Sequence, residues 1–472
     1  MNTKKFLATS LVMCMLGMNM TPAYAFKLHF TPLKFPHREK KQAVVKTAPT
    51  LTTSVNEYRY TNVNMDWWKN YNDPILSGYI TRAIEQNQDM QIATIKVEEA
   101  RQAVKMQFAR ELPSLSIGFS PALYKTPGST SSIGSLSIPF LASYEVDYLG
   151  KNHTATKAVK KVLDEAKFQE RAVYIAIASE IGSDYINIVN LDKQIEIQQK
   201  LINSRKQIFN LMKLRNREGI TSTADLVRAN KAYVMANSDM TSLKKERSIL
   251  LNALAVLIGE SPENAYTLKR TNYNKLMFAS NIPTSIPTEI IVQRPDYLAA
   301  EAEVEKVGFD VKVAKKELLP SFNILGLAML AVSSTYSEMS WRSALAALAG
   351  SINWDAYAGG AKVANVKLKK AEYEAVLQNY YKTNLNAIKE VNDTLTSLKL
   401  DNDKYNKDLE SYNMQKTDFG YMNTRYKQGA ISYLDLEQQK ENLYSLERLV
   451  VSSNISNYID RISLYKAVGG KM

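Results

Sequence analysis

The sequence predicts a mainly α-helical fold with a membrane β-barrel part, built from one unit that occurs twice. Three observations predict it: a repeat held at nearly constant offset, long windows without proline, and short stretches whose apolar period is two. Leu112-Pro113-Ser114 returns as Leu319-Pro320-Ser321, 207 positions later (319 − 112). Asp89 stands 24 residues before Pro113, as Asp296 stands 24 before Pro320; Asp147 pairs with Asp355, and Gly219 with Asp225 returns as Gly429 with Asp435. The offset drifts only from 207 to 210 (429 − 219). A spacing held so far argues duplication of a whole folding unit.

In chain order, residues 1–25 join Lys4 and Lys5 to an apolar run from Phe6 to Met18 and end Ala23-Tyr24-Ala25. That is the pattern of a secretory signal peptide. The single cysteine, Cys14, lies inside it, behind Met13 where a lipoprotein signal needs a small residue, so no thiol or disulfide is expected in the mature chain. Losing two lysines takes the formal charge from +13 to +11 (13 − 2). Export makes nucleic acid an improbable partner for that charge, and the lysines scatter through helical stretches as a solvated face. Residues 26–65, rich in Lys, Pro and Thr, read as an extended arm. Trp67-Trp68 opens ordered structure, and plain packing is sufficient reason for two adjacent tryptophans.

The first repeat is expected over 66–270, with a helix, a β-hairpin at 113–148 and a long helical hairpin at 151–258. A linker at 271–294 leads to the second repeat, 295–472, with a helix, a β-hairpin at 320–356 and a helical hairpin at 361–466. The fourteen prolines all avoid 75–112, 140–261, 296–319 and 321–472. Interior proline costs a helix about 3 kcal/mol, so these windows are where long helices can form. Ile188, Ile195, Ile202 and Phe209 recur every seven residues as a coiled-coil seam. Gly219 and Gly429 break the outward helices, and Thr221-Ser222-Thr223 and Ser432 offer caps for the return helices. An outward helix of about 65 residues spans about 100 Å, too long for a globular core.

At the other end the period changes. Leu115, Ile117, Phe119 and Leu123 alternate with Ser114, Ser116, Gly118 and Ser120 along 114–124. Leu136, Ile138, Phe140, Tyr144, Val146 and Tyr148 alternate with Ser137, Ser143, Glu145 and Asp147 along 136–148. The second copy is weaker: Leu348, Ile352 and Trp354 alternate, whereas 322–332 is nearly all apolar and its facing stays open. These strands have about the length a tilted strand needs to cross an outer membrane, and a small soluble sheet capping a coiled coil is the alternative. Four strands cannot close a water-filled barrel, so spanning strands must be pooled by several chains.

Together these residues resemble the outer membrane efflux protein family, the TolC-like outer membrane factors, over nearly the whole mature chain. The signs are Trp67-Trp68 before a helix, Ala100-Arg101-Gln102-Ala103 leading to Leu-Pro-Ser, Tyr144-Glu145-Val146-Asp147-Tyr148-Leu149-Gly150, Leu257-Ile258-Gly259, and Arg294-Pro295-Asp296 before the second Leu-Pro-Ser. The branch most similar serves multidrug pumps, although its frequent lipid-anchor cysteine is missing here. The resemblance implies a homotrimer with four strands per protomer in one 12-strand barrel, continued by a helical barrel across the periplasm. It implies an outer-membrane duct of a Gram-negative bacterium, not an enzyme. The duct would work with a periplasmic adaptor (a membrane fusion protein) and an inner-membrane pump of the resistance-nodulation-division type or an ATP-driven one.

Catalysis finds little support, since the histidines are only His29, His37 and His153, and no metal-ligand cluster or phosphate loop is visible; no cofactor is expected. Attention falls on the glycine turns. Asp225 and Asp435 sit in the first turns of the return helices, where a carboxylate suits the helix dipole. Repeated around a bore, the same acid would select cations. By likeness to the related channels, Asp435 is the ring candidate, Asp225 with Tyr426 a candidate latch, and Gln438 stands where a second acid can occur. Helix capping alone remains open for both aspartates. Arg217, Gly219, Thr221, Lys427, Gly429 and Ser432 mark the expected adaptor contacts. The expected function is an efflux duct for small molecules, with type I protein secretion, or a periplasmic coiled-coil adaptor or scaffold, as the alternatives.

Overall fold

The computed structural model describes residues 67–125, 132–276, 291–333 and 344–469. The predicted signal peptide, the arm and most of the linker lie outside the described residues. A short 3-10 helix, Trp67–Tyr71, leads into α1 (Pro74–Gln86), which Asp73 caps by accepting from the amides of Ile75 and Leu76. Asn87 ends α1 and caps α2 (Gln88–Ala109), accepting from Asp89 N at 2.8 Å and Met90 N at 3.1 Å. The long helices are α3 (Lys151–Arg217) with return helix α4 (Thr223–Leu257), and α6 (Ala361–Lys427) with return helix α7 (Tyr433–Val468). Between them α5 (Pro295–Lys316) repeats the place of α2. Both α3 and α6 have 67 residues, about 100 Å of helix.

Each outward helix starts from a left-handed glycine, Gly150 at φ 65° and Gly360 at φ 83°, where a side chain would be strained. Asp147 then supplies the missing cap of α3, accepting from Asn152 N at 3.1 Å and His153 N at 2.8 Å. Toward the turns α3 packs on α4 and α7, and α7 on α6; toward the sheet α3 packs on α2 and α5, and α5 on α6. The result is a four-helix slab, with α3 running through both halves. The heptad seam faces α4: Ile202 packs with Ala236 and Met240, and Phe209 stacks on Tyr233 at 6.2 Å between centroids.

The main core lies midway along the slab. There Trp67, Trp68 and Tyr71 meet Ile80 of α1, Ile181 and Ile188 of α3, Leu254 of α4 and Ile462 of α7. Gly182 leaves the notch that the Trp67 ring fills, and any Cβ at that position would overlap the ring. Tyr185, fully buried, donates to Asp73 Oδ2 at 2.7 Å and accepts from Thr271 N at 2.9 Å, tying α3 to the start of α1 and to the segment after α4.

The sheet is antiparallel, ordered β1/β2-β3-β4-β5, with β1 (Ser114–Ile117) and β2 (Ser120–Lys125) both on β3 (Ser132–Val146), then β4 (Ser321–Ser333) and β5 (Ala344–Asn353). The strand expected at 114–124 is therefore two pieces. Pro139 faces the break, and having no N–H it cannot return the bond that Gly118 N makes to its carbonyl at 2.9 Å. Trp354 lies beyond β5, its indole N–H donating to Leu318 O at 3.3 Å. Pairing of Phe322 with Val146, Ile324 with Tyr144 and Ala328 with Phe140 settles the facing of β4: its even-numbered residues share the apolar face of β3. Among the described residues, no helix is long and apolar enough to cross a membrane.

Between α6 and α7, burial, followed by the charge of the neighbouring Asp401, pushes the Asp460 carboxyl up to about 7. The folded chain therefore holds a proton that the unfolded chain releases near pH 4. Its stabilisation is complete below the ordinary carboxylate range and is lost as pH rises through the folded value. The site is half-exposed, so solvent screening limits the loss to about 1–2 kcal/mol. Thermal unfolding in detergent is expected to show lower stability at pH 8 than at pH 5, with Asp460→Asn flattening the difference. An unaltered slope in that variant would refute the role of the pair.

Candidate functional site

The two glycine turns at the end remote from the sheet are built alike. Gly219 and Gly429 both have φ 72°. Gly219 N donates to Asn216 O at 3.1 Å and Ile220 N to Arg215 O at 2.8 Å; Gly429 N donates to Tyr426 O and Ala430 N to Arg425 O, both at 2.9 Å. These paired bonds form a Schellman stop that satisfies the last carbonyls of α3 and α6. The return helices then start from Ser222 and Ser432, each hydroxyl accepting from the aspartate amide three residues on. At Ser432 the cap is reciprocal, because Asp435 Oδ2 accepts from both Ser432 N at 3.1 Å and Ser432 Oγ at 2.7 Å. At Ser222 the carboxylate of Asp225 accepts from Ser222 Oγ at 2.7 Å and from Arg228 Nη1 at 3.1 Å.

Asp435 is fully exposed, and the Ser432 hydroxyl and amide hold its carboxyl below the ordinary carboxylate range. It is charged at any pH near neutrality. Tyr426 packs its ring against Tyr433 at 5.9 Å between centroids, and Tyr433 Oη donates to Gln207 Oε1 at 2.9 Å. That chain of contacts ties the second turn to α3. Just inside the turns, Ser204 of α3 bonds the buried carboxylate of Glu437, which also accepts from Lys440 Nζ at 3.1 Å. Arg205 completes the seam, donating to Glu441 Oε1 at 3.2 Å and to Ala232 O at 3.1 Å.

The model of the outer membrane efflux protein family matches residues 79–260 and 286–470, one segment in each repeat. The chain belongs to the outer membrane efflux protein family. The cation efflux system protein CusC of Escherichia coli K12 is 23% identical over 410 residues, covering 86% of this chain and 89% of that protein. The pyoverdine export outer membrane protein OpmQ of Pseudomonas aeruginosa is 23% identical over 416 residues, covering 86% of this chain and 87% of its own. In structure, the CmeC outer membrane channel of Campylobacter jejuni superposes with TM-score 0.80 at 22% identity, covering 88% of this chain and 90% of that one. Like these relatives, this efflux protein belongs to the outer membrane.

Within this efflux protein, every singled-out residue lies at the turns. Arg217, Gly219, Lys427, Gly429 and Ser432 are exposed, whereas Thr221 is half-buried. Asp225 and Asp435 occupy corresponding caps, one in each hairpin. Within one chain Asp225 is held by Ser222 and Arg228, while Tyr426 faces Tyr433, so the fold of a single protomer does not join the two. Sequence reasoning missed the seam of Ser204, Arg205, Glu437 and Glu441. Its available signal was Glu437-x-x-Lys440-Glu441, two acids set four apart on one helix face, two and six residues beyond Asp435.

Proposed function

We propose that three copies of the chain close into one outer-membrane duct, three times four strands making a 12-strand barrel that a helical barrel continues into the periplasm. What supports this is that both layers of a single chain end in unpaired edges. In the sheet the edges are β1/β2 and β5, and an open strand edge leaves its backbone groups unsatisfied in lipid. In the slab the edges are α6 on one side and, on the other, α4 toward the turns and α2 toward the sheet. Val227, Val234, Ile249 and Val256 of α4 and Leu400, Met414 and Tyr421 of α6 are exposed at near-heptad spacing. One edge of each protomer fits the opposite edge of the next, a head-to-tail contact that closes by rotation.

The duct is passive, and its energy comes from an inner-membrane pump of the resistance-nodulation-division type reached through a periplasmic adaptor. The exposed turns around Arg217–Thr221 and Lys427–Ser432 are the docking points. One relative is named for cation efflux and another for pyoverdine export, so the proposed cargo class here is small molecules chosen by the pump. Crosslinking the tagged protein in intact cells and identifying what is recovered tests this. Recovery of an adaptor with a proton-driven pump is the expected result. An ATP-driven exporter would indicate secretion of a peptide or protein instead, and a trapped self-trimer without either partner would refute the tripartite assignment.

At the turns, three copies of Asp435 form the acidic ring, and Asp225 meets Tyr426 across protomers as the latch. Asp435→Asn keeps the cap geometry and removes three charges from the bore. It is expected to lower cation selectivity and relieve block by multivalent cations in planar bilayers. Unchanged selectivity would leave Asp435 a helix cap alone.

A further inference from the structure

The two faces of the sheet differ in a way that periodicity alone did not show. One face carries Leu115 and Ile117 of β1, Ile138, Phe140 and Tyr144 of β3, Ile324 and Leu330 of β4, and Leu348 and Ile352 of β5, with Tyr144 its single polar group among these rows. Only that face suits lipid, so in a closed barrel the other face lines the bore. The bore face begins polar, at the rows joining Glu145, Asn323 and Ser351. It is polar again where Ser137 meets Ser120. Between those levels it is mostly apolar.

Three consecutive bore-facing rows run Ser143–Leu325–Ala349, Leu141–Leu327–Ala347 and Pro139–Met329. Leu141 and Leu325 are 37% and 41% exposed, so these side chains stand in the open rather than in a core. Two of the three serines at these levels add little polarity. Ser114 Oγ donates to Ser143 O at 3.3 Å and Ser116 Oγ to Leu141 O at 3.4 Å, turning their protons back onto the strands. At about 3.3 Å per residue and a tilt near 40°, the three rows cover about 10 Å of bore height. Twelve strands lie between the eight that side chains fill and the sixteen that leave an open aqueous channel. The character of the lining therefore decides how wet the passage is.

We propose that Pro139, Leu141, Leu325, Leu327 and Met329 form an apolar belt inside the barrel that holds back small hydrated ions and favours amphiphilic or apolar cargo. This rests on the closed-barrel reading above and adds a selectivity element to it, remote from the helical turns. The physical cause is desolvation: a charge crossing the belt sheds water and finds few polar partners, whereas an amphiphile buries apolar surface there.

Single cysteines test the belt, because Cys14 is the chain's one natural thiol and can be replaced by serine. In the Cys14→Ser full-length protein reconstituted in lipid vesicles, Leu327→Cys, Asn323→Cys and Leu348→Cys are each treated with a sulfonate-bearing and a neutral methanethiosulfonate of similar size. The charged-to-neutral rate ratio at Leu327→Cys is expected to fall about tenfold below that at Asn323→Cys. Leu325→Cys serves as a second belt position should Leu327→Cys not assemble. Equal ratios at belt and polar row would overturn the belt while leaving the barrel intact. If Leu348→Cys reacts with the charged reagent as readily as Asn323→Cys, its face is wet, and the closed-barrel reading itself falls.

Discussion

Trp67→Ala is expected to lower the local stability of α1 and its seat on α3 and α7 by about 3–5 kcal/mol, the usual cost of deleting a large buried aromatic side chain. Trp67 is 4% exposed and stacks on Tyr465 at 5.7 Å between centroids. It also meets Trp68 and Tyr71 edge-on, both at 5.8 Å. Its ring occupies the notch left by Gly182, so its loss opens a cavity at the point where the 3-10 helix, α3 and α7 converge. Hydrogen exchange in detergent is the measurement, with α1 amides deprotected and the helical turns unaltered. Gly182→Leu alone must also destabilise, by overpacking, yet combined with Trp67→Ala it is expected to recover part of the loss, because the two side chains compete for one space. Strictly additive losses in the double variant would show that the ring and the notch are energetically independent.

That contact illustrates which features were legible in the sequence. Trp67-Trp68 announced burial by residue type, and the heptad from Ile188 announced a seam, because both signals are local. The glycine turns were legible for the same reason: a glycine in the left-handed region followed by a serine three residues later is a short-range pattern. The notch at Gly182 was not, since nothing near it in the sequence distinguishes a glycine that admits a ring 115 residues away (182 − 67) from one that merely weakens a helix. The break between β1 and β2 had a signal in Pro139, but reading it required the register that sets Pro139 opposite Gly118. In β4 the alternation was hidden because both faces are apolar, and only pairing with β3 separated the face shared with Phe140 and Tyr144 from the opposite one. At the turns, periodicity placed Asp225 and Asp435 at caps. The proposed ring and latch would depend on neighbouring copies, which no intrachain pattern encodes.

Arg294→Met is expected to loosen the end of α7 by about 3 kcal/mol, because one guanidinium there joins three elements. Arg294, with 7% of its side chain exposed, forks onto Asp296 through Nε at 2.9 Å and Nη2 at 2.7 Å. The same Nη2 reaches Glu390 of α6 at 2.7 Å, and Nη1 donates to Ala467 O at 2.6 Å. That carbonyl is among the last of α7 and has no amide within the helix to receive it. Gly469, left-handed at φ 75°, brings the chain against Arg294 so closely that a Cβ would meet its Cγ at 2.9 Å. Burial by itself would raise the Asp296 carboxyl, but the bonds from Arg294 outweigh it and hold the group below its ordinary value. This contribution is present above the ordinary carboxylate range and is lost as pH falls through the folded value. The carboxylates of Asp296 and Glu390 are themselves half-exposed and can rehydrate, which keeps the loss below the upper end for a broken buried pair. Arg294→Lys should recover less than half of the loss, since an ammonium cannot fork onto Asp296 while reaching Ala467 O. Limited proteolysis of the C-terminal segment reads this directly: rapid cleavage in Arg294→Met and intermediate cleavage in Arg294→Lys are expected, and wild-type protection in both would show that packing around Ala467 and Val468 holds the end of α7 without the cation.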